Sequence, residues 1–186
     1  MSEFNSYATQ NQLLLNNLLK YYEKSGLLNT MLSIITGESA ISLRIVDWFA
    51  TNYSKKNWTQ YDVDGRTFKV YLDYKLKLKA YSKRRFDPFC RWQRITIPYH
   101  NNTLIETTIG QLNFFKWALE NKVIDYIEQN YETIEKDMNS RNSTSRKRDP
   151  TQENTKTRKK REELSICASK SVKKEIVDIV VSFDTK

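Results

Sequence analysis

The sequence predicts an α+β domain, because its apolar residues change their spacing along the chain. Near the start, and again over residues 109–138, they recur every three or four positions, which is typical of amphipathic helices. Over residues 58–106 many of them alternate with polar residues, as in strands with one buried face. We therefore expect N-terminal helices and one long helix to pack on an antiparallel sheet of about four to six strands.

The first part of the chain predicts three short helices. Their helical spacing covers residues 10–24, 27–36 and 40–54. Gly26 and Gly37 follow the first two helices, at the position where a left-handed residue commonly ends a helix. Ser39 is a candidate N-cap for the third.

A hairpin and a long strand are expected next. Asp64 and Gly65 form a two-residue turn signal between two short strand-like segments. Over residues 70–80 the even positions are apolar or Tyr, whereas the odd positions carry Asp73 and three lysines. This period of two predicts a strand with one dry face and one basic, tyrosine-flanked face. Apolar residues four apart also fit a helix, which is the rival interpretation.

Two further strands and the clearest helix follow. Residues 92–99 and 103–106 read as strands joined by an Asn-Asn turn. Thr108 and Gln111 are spaced as a capping box, in which the glutamine reaches back to the cap residue. Residues 109–138 are predicted to form one helix of about 45 Å at 1.5 Å per residue.

The domain organisation follows from composition. Residues 1–138 are predicted to be the globular α+β domain. Residues 139–163 are predicted to be a basic linker, disordered when free, because positions 139–161 have no aliphatic or aromatic side chain with which to join a core. Residues 164–186 are predicted to be a C-terminal segment whose strand returns to the sheet.

Positive charge is concentrated in two places. The net charge is +9, yet residues 69–94 hold nine Lys/Arg against two Asp/Glu, and residues 139–161 hold the same numbers. Two patches of this kind are typical of a protein that binds a polyanion.

The first patch interleaves cations with aromatic rings. Cations neutralise phosphates and exposed rings stack on bases, a combination that favours single-stranded nucleic acid. The simpler interpretation is a solvated sheet face that lysines protect from edge pairing. The candidate nucleic-acid-binding residues are Lys75, Lys77, Lys79, Tyr81, Lys83, Arg84, Arg85, Arg91, Trp92 and Arg94.

The second patch is a candidate basic arm. Its clusters are Arg146, Lys147 and Arg148, and then Arg158, Lys159, Lys160 and Arg161. The two clusters fit a two-part nuclear localisation signal, a flexible arm on phosphates, or an arm that folds on an acidic protein surface. A solvated linker is the plain alternative.

Catalysis has little support in the sequence. His100 is the single histidine, and the two cysteines, Cys90 and Cys167, lie far apart. We expect no catalytic residue, no metal site and no cofactor. We expect Cys90, between Phe89 and Arg91, to be buried and structural, with a reactive thiol as the alternative. We also expect no membrane contact and an intracellular, reducing setting, because no long apolar run or disulfide framework is present.

Four stretches resemble a known family. They are Ile41–Phe49, Tyr81–Arg91, Glu106–Ala118 and Arg158–Ser165. Together they resemble a family of uncharacterised proteins encoded by nucleocytoplasmic large DNA viruses, over a span from about residue 30 to the end. The resemblance implies a viral origin and a place of work in the virus factory, the nucleus or the virion, but no mechanism.

The function expected from these features is non-catalytic binding of DNA or RNA by a virus-encoded protein, in genome packaging or viral gene expression. The alternative is a minor capsid or virion-assembly protein whose basic arm binds acidic neighbouring subunits. The expected partner is therefore either nucleic acid or an acidic viral protein surface.

Overall fold

A computed structural model describes residues 9–99, 103–146 and 174–176, and it confirms the α+β class. The helices are α1 (Gln10–Ser25), α2 (Leu28–Thr36), α3 (Leu43–Trp48), α4 (Ser54–Lys56), α5 (Val70–Arg85), α6 (Ile109–Glu120), α7 (Val123–Gln129) and α8 (Tyr131–Arg146), with a π-helical segment at Phe49–Tyr53 between α3 and α4. The strands are β1 (Gln60–Val63), β2 (Arg66–Lys69), β3 (Arg94–Pro98), β4 (Thr103–Thr108) and β5 (Lys174–Ile176).

The predicted N-terminal helices are present. The Thr9 hydroxyl accepts a hydrogen bond from the Gln12 amide and caps α1. Gly26 and Gly37 end α1 and α2 in the left-handed conformation, as their positions predicted. The cap of α3 differs from the prediction, because Ser42 rather than Ser39 accepts the hydrogen bond, from the Ile45 amide.

The strand predicted over residues 70–80 is wrong, and the rival helix is correct. Residues 70–85 form α5, whose buried side is made by Val70 with the half-buried Tyr74, Leu78 and Tyr81. Residues 71–85 contain no β-branched side chain and are rich in Leu, Lys and Arg, so intrinsic helix propensity overrides the alternation. The apolar residues left over, Leu72 and Leu76, lie on the exposed side.

The continuous sheet of four to six strands is therefore also wrong. Strands β1 and β2 form a separate hairpin with Val63 opposite Arg66, which confirms the Asp64-Gly65 turn. Strands β3, β4 and β5 form a second antiparallel sheet in that order. Helix α5 lies between the hairpin and β3 in the chain, where the predicted long strand would have joined them.

The single helix predicted over residues 109–138 is broken into three. Lys122 takes a left-handed φ of 53° between α6 and α7. The Asn121 side chain donates to the Trp117 carbonyl at 2.8 Å, and the Asn130 side chain donates to the Tyr126 carbonyl at 2.9 Å. These amides compete with the helical backbone for its carbonyl groups, so the helix stops at each asparagine.

The capping box at the start of α6 is half correct. The Thr108 hydroxyl accepts from the Gln111 amide at 3.1 Å, as predicted. The Gln111 side chain, however, is fully buried: it accepts from the Thr107 hydroxyl and donates to the Pro88 carbonyl, both at 2.9 Å. It thus ties α6 to the segment after α5 instead of closing the cap.

The core lies around α6, which is buried on most of its circumference. Helix α1 packs along it, and the Tyr22 hydroxyl donates to the Leu112 carbonyl at 2.8 Å. The largest fully buried side chains include Phe49, Phe86, Phe114, Phe115 and Ile127. Buried aromatic residues from α1, the π-helical segment, position 86 and α6 itself therefore share one core.

The predicted domain boundaries remain predictions. Helix α8 continues to Arg146, beyond the expected end of the globular domain at residue 138. Strand β5 pairs antiparallel with β4, with Ile176 opposite Thr103. Residues 147–173 and 177–186, which hold most of the predicted linker and C-terminal strand, lie outside the described residues. Within the described ranges, no helix is both long and apolar enough to cross a membrane.

Candidate nucleic-acid interface

The exposed side of α5 carries the first part of the predicted surface. Lys75, Lys79 and Lys83 are exposed, and Lys77 is half-buried. Together with Arg84, these lysines form no ion pair with any residue in the described ranges. Their charges therefore remain available to a polyanion.

The end of α5 is redirected at Ser82. This residue has φ 63° and ψ 168°, a conformation that a residue with a side chain rarely adopts. The helix is interrupted there, and the following turn, Lys83 to Arg85, takes a new direction. Strain of this kind persists only where the surrounding contacts hold it.

Helix α6 supplies those contacts. A Cβ atom added at Gly110 would lie 3.0 Å from the Arg84 carbonyl oxygen, so only glycine allows this approach without a shift. The Asn113 side chain donates to the Arg85 carbonyl at 2.8 Å, and the Asp87 amide donates to the Gly110 carbonyl at 3.2 Å. The start of α6 thus fixes the position of Arg84 and Arg85.

A cleft of about 730 Å³ opens beside this turn. It lies between the first turns of α1 and residues 92–95, and its lining includes two arginines but no carboxylate. The residues that line it are Thr9, Asn11, Gln12, Leu15, Ser82, Arg84, Arg85, Trp92, Gln93, Ile95 and Ile109. An anion that enters the cleft meets positive charge and amide groups without a competing carboxylate.

Trp92 gives the cleft an aromatic surface. It is 39% exposed, and the Arg84 guanidinium lies over its ring at 5.7 Å from the centroid. Arg85 donates to the Asn11 side chain at 2.7 Å and to that of Gln10 at 3.2 Å. Because these amides are neutral, Arg85 joins α5 to α1 and still contributes its full charge.

Asp87 holds the loop that presents Trp92. Its buried carboxylate accepts from both Nε and Nη2 of Arg91 at 2.9 Å, from Trp92 Nε1 at 3.2 Å and from the Phe89 amide at 3.1 Å. These hydrogen bonds orient the indole from one side. They also raise the pKa of Arg91, because hydrogen bonding to Asp87 stabilises the charged guanidinium.

Three predicted residues therefore have other partners. Arg91 is paired with Asp87, and Arg94 is paired with Glu106, whose hydrogen bond raises the pKa of Arg94. Tyr81 packs on Phe86 with its ring nearly parallel, at 6.3 Å between centroids. Their assignment as direct ligand contacts stays a prediction: both arginine side chains are more than half exposed but have a carboxylate partner, and Tyr81 is half-buried.

Sequence reasoning missed the contribution of α1. Asn11 and Gln12 lie some 70 residues before Arg84 in the chain and reach the cleft only through packing of α1 against α6. An Asn-Gln-rich helix start carries no signal for a binding site. Ser82 was equally hidden, since its backbone conformation depends on the close approach of Gly110.

Most of the basic arm lies outside the described residues. Arg146 is the last residue of α8, and the other six arm residues, Lys147 to Arg161, lie outside the described residues. His100 and Cys167 also lie outside them. Cys90 is buried, as predicted, and its structural role stays a prediction. Within the described ranges, no group of three His, Cys, Asp or Glu side chains could hold a metal ion.

Comparison with known proteins places the chain in a family. Residues 3–185 match the model of a "Family of unknown function (DUF7197)". The chain belongs to this family. A curated relative, "Uncharacterized protein L507" of Acanthamoeba polyphaga mimivirus, is 49% identical over 118 residues. The alignment covers 59% of this chain and 46% of the relative, so the chain spans about half of that protein's length. No solved structure matches.

The mimivirus relative confirms the resemblance to uncharacterised proteins of giant viruses. The match of the DUF7197 model extends through both basic patches, at residues 69–94 and 139–161. Neither comparison names an activity, so the function has to be argued from the cleft and its surroundings.

Proposed function

We propose that this chain is a non-catalytic nucleic-acid-binding protein that holds a single-stranded segment on α5 and in the adjoining cleft. The observation that carries the proposal is the cleft itself, where Arg84, Arg85 and Trp92 meet without a carboxylate. Lys75, Lys79 and Lys83 extend the positive surface along the helix that leads to it.

The arrangement suits phosphates on one side and bases on the other. Lys75 and Lys79 lie four residues apart, which places them about 6 Å apart along the helix axis. They can therefore contact the backbone of one strand, while a base stacks on Trp92 or on the Arg84 guanidinium beside it. The Asn11, Gln12 and Gln93 side chains supply hydrogen-bonding groups for base edges.

A single strand fits these features better than a duplex. Stacking on an aromatic side chain requires an exposed base face, which a duplex hides inside its own stack. Contacts to phosphate alone would bind both forms alike. Trp92 therefore decides the preference, and a role in genome packaging or in viral gene expression is compatible with it.

The test is fluorescence anisotropy with a labelled 20-nucleotide oligo(dT) and a duplex of equal length, measured over a series of salt concentrations. Replacing both Lys75 and Lys79 by Gln should weaken binding to both ligands. The slope of log K against log salt should fall by about 0.7 per lost contact on the single strand. Trp92→Ala should weaken oligo(dT) binding by about 1–3 kcal/mol and duplex binding much less.

Lys24→Gln is the matched control. Lys24 is exposed on the last turn of α1, about 20 Å along that helix from Asn11. Its replacement should leave both affinities unchanged. If Lys24→Gln and the Lys75/Lys79 variant weaken binding equally, the chain binds by net charge alone and the proposed site is wrong.

A further inference from the structure

A second surface of α5 is apolar and lies away from the cleft. Five large apolar side chains in the described part of the chain are strongly exposed, and three of them, Trp58, Leu72 and Leu76, are brought together here. Trp58 is 79% exposed and Leu76 is 65% exposed. Trp58 and Leu72 line a groove of about 260 Å³, and Leu76 lies one helical turn beyond Leu72.

Neither side-chain packing nor backbone preference explains why a tryptophan stands at position 58. Trp58 has a left-handed φ of 48°, which is a true outlier for a bulky side chain. Hydrogen bonds on its C-terminal side hold this conformation: the Thr59 amide donates to the Ser54 carbonyl and the Val70 amide to the Thr59 carbonyl. The chain thus holds a large ring in an unfavourable conformation and presents it to solvent.

The rim of this apolar surface is basic. Lys55 and Lys69 line the groove, and Lys75 and Lys79 lie beside Leu72 and Leu76 on the exposed side of α5. None of the four forms an ion pair within the described ranges. A nucleic acid would satisfy the lysines but would leave two leucines in contact with water.

We propose that the surface of Trp58, Leu72 and Leu76 binds an acidic amphipathic helix of another protein. Apolar side chains of that helix enter the groove beside Trp58 and pack on the ridge that Leu72 and Leu76 form four residues apart. Its carboxylates face the lysine rim, which provides the charge complementarity. The proposal does not rest on the proposed nucleic-acid function, since the apolar residues carry it. Lys75 and Lys79 belong to both surfaces, so an acidic helix and a nucleic acid are expected to compete for them.

The test uses the full chain and a fluorescein-labelled 18-residue helical peptide of Glu, Ala and Leu, with its leucines on one face. A matched peptide of the same composition has the leucines spread around the helix. Anisotropy should show at least tenfold tighter binding of the amphipathic peptide, since the matched peptide loses about half of a leucine's burial energy at each apolar contact that it cannot make. Binding should also shift the part of the tryptophan fluorescence emission that comes from Trp58, and this shift should be absent in Trp58→Phe.

The variants separate apolar contact from charge. Leu76→Ser and Leu72→Ser should each weaken amphipathic-peptide binding about tenfold and leave oligo(dT) binding unchanged. Leu13→Ser is the matched control, because Leu13 is 54% exposed on α1 and does not line the groove. All three positions are exposed, so the folds of the variants should be intact, which circular dichroism checks.

Several outcomes would overturn the proposal. Equal binding of the two peptides would mean that charge alone attracts them. A concentration-dependent dimer in sedimentation that Leu76→Ser abolishes would mean that a second copy covers the surface. Binding to phosphatidylserine vesicles that requires Trp58 and Leu76, without peptide discrimination, would assign the surface to a lipid.

Discussion

Asp87 is expected to be the residue on which the loop beside the cleft most depends. Its buried carboxylate accepts four hydrogen bonds, from the Phe89 amide, from two nitrogens of Arg91 and from the Trp92 indole. Replacing Asp87 by Asn leaves one good acceptor oxygen and removes the charge. Replacing it by Ala removes every acceptor.

The stability that is lost with Asp87 differs between its hydrogen-bond partners. The Arg91 side chain is 54% exposed, so water can replace its bonds, and the pair should contribute no more than about 1 kcal/mol. The Phe89 amide is buried with the carboxylate, and leaving it unpaired costs about 1–3 kcal/mol. We therefore expect the free energy of unfolding to fall by about 1–2 kcal/mol in Asp87→Asn and by about 2–4 kcal/mol in Asp87→Ala.

Urea denaturation followed by tryptophan fluorescence measures both losses. Asp64→Asn is the control, because Asp64 is 81% exposed and pairs with Lys122 at the surface, so less than about 0.5 kcal/mol should be lost. A thiol reagent adds a local readout in a Cys167→Ser background: Cys90 should react slowly in the parent and faster in Asp87→Asn. A loss below about 0.5 kcal/mol in Asp87→Ala, with Cys90 still protected, would refute this account of the loop.

Three further predictions follow from the same region and its neighbours. Gly110→Ala should lower stability by about 1–3 kcal/mol and weaken oligo(dT) binding, because the added methyl group displaces the Arg84 backbone; unchanged binding would show that the turn is not positioned by α6. Ser82→Gly should raise stability by about 0.5–1 kcal/mol, whereas Ser82→Ala should change it by less than about 0.5 kcal/mol; the reverse order would contradict strain at this residue. Burial raises the pKa of Tyr74 to about 12, so the unfolded chain loses this proton first and stability should fall as pH rises from 10 to 12. Burial also raises the pKa of Tyr22 and Tyr61, so Tyr74→Phe should make that part of the urea-midpoint profile less steep without removing it, and an unchanged slope would be evidence against the burial effect at Tyr74.

The parts of the fold that were predictable from sequence are those set by local chemistry. The hairpin at Asp64-Gly65, the helix ends at Gly26 and Gly37 and the cap at Thr108 all follow from short-range backbone preferences. The strand predicted over residues 70–80 was wrong because the same apolar positions fit both a strand period of two and a helical spacing of four. The absence of β-branched residues after Val70 was the signal that should have decided for the helix.

The candidate site was only partly predictable. Its cations and Trp92 were named from the basic, aromatic composition of residues 69–94. The sequence did not show which of these cations lack an ion-pair partner. Arg91 pairs with Asp87, and Arg94 with Glu106, only once the chain has folded. The cleft depends on α1 lying beside the end of α5, a contact between segments that no local pattern reports.

The most direct test of the central claim is photocrosslinking to a single strand. The full chain would be irradiated with an oligo(dT) in which some bases are 5-bromouracil, then digested and mapped by mass spectrometry. The account predicts crosslinks at Trp92 and in the peptide that begins α1, and their loss at high salt, because phosphate contacts release counterions. Crosslinks confined to residues 146–161, with none at Trp92, would contradict it and assign binding to the basic arm.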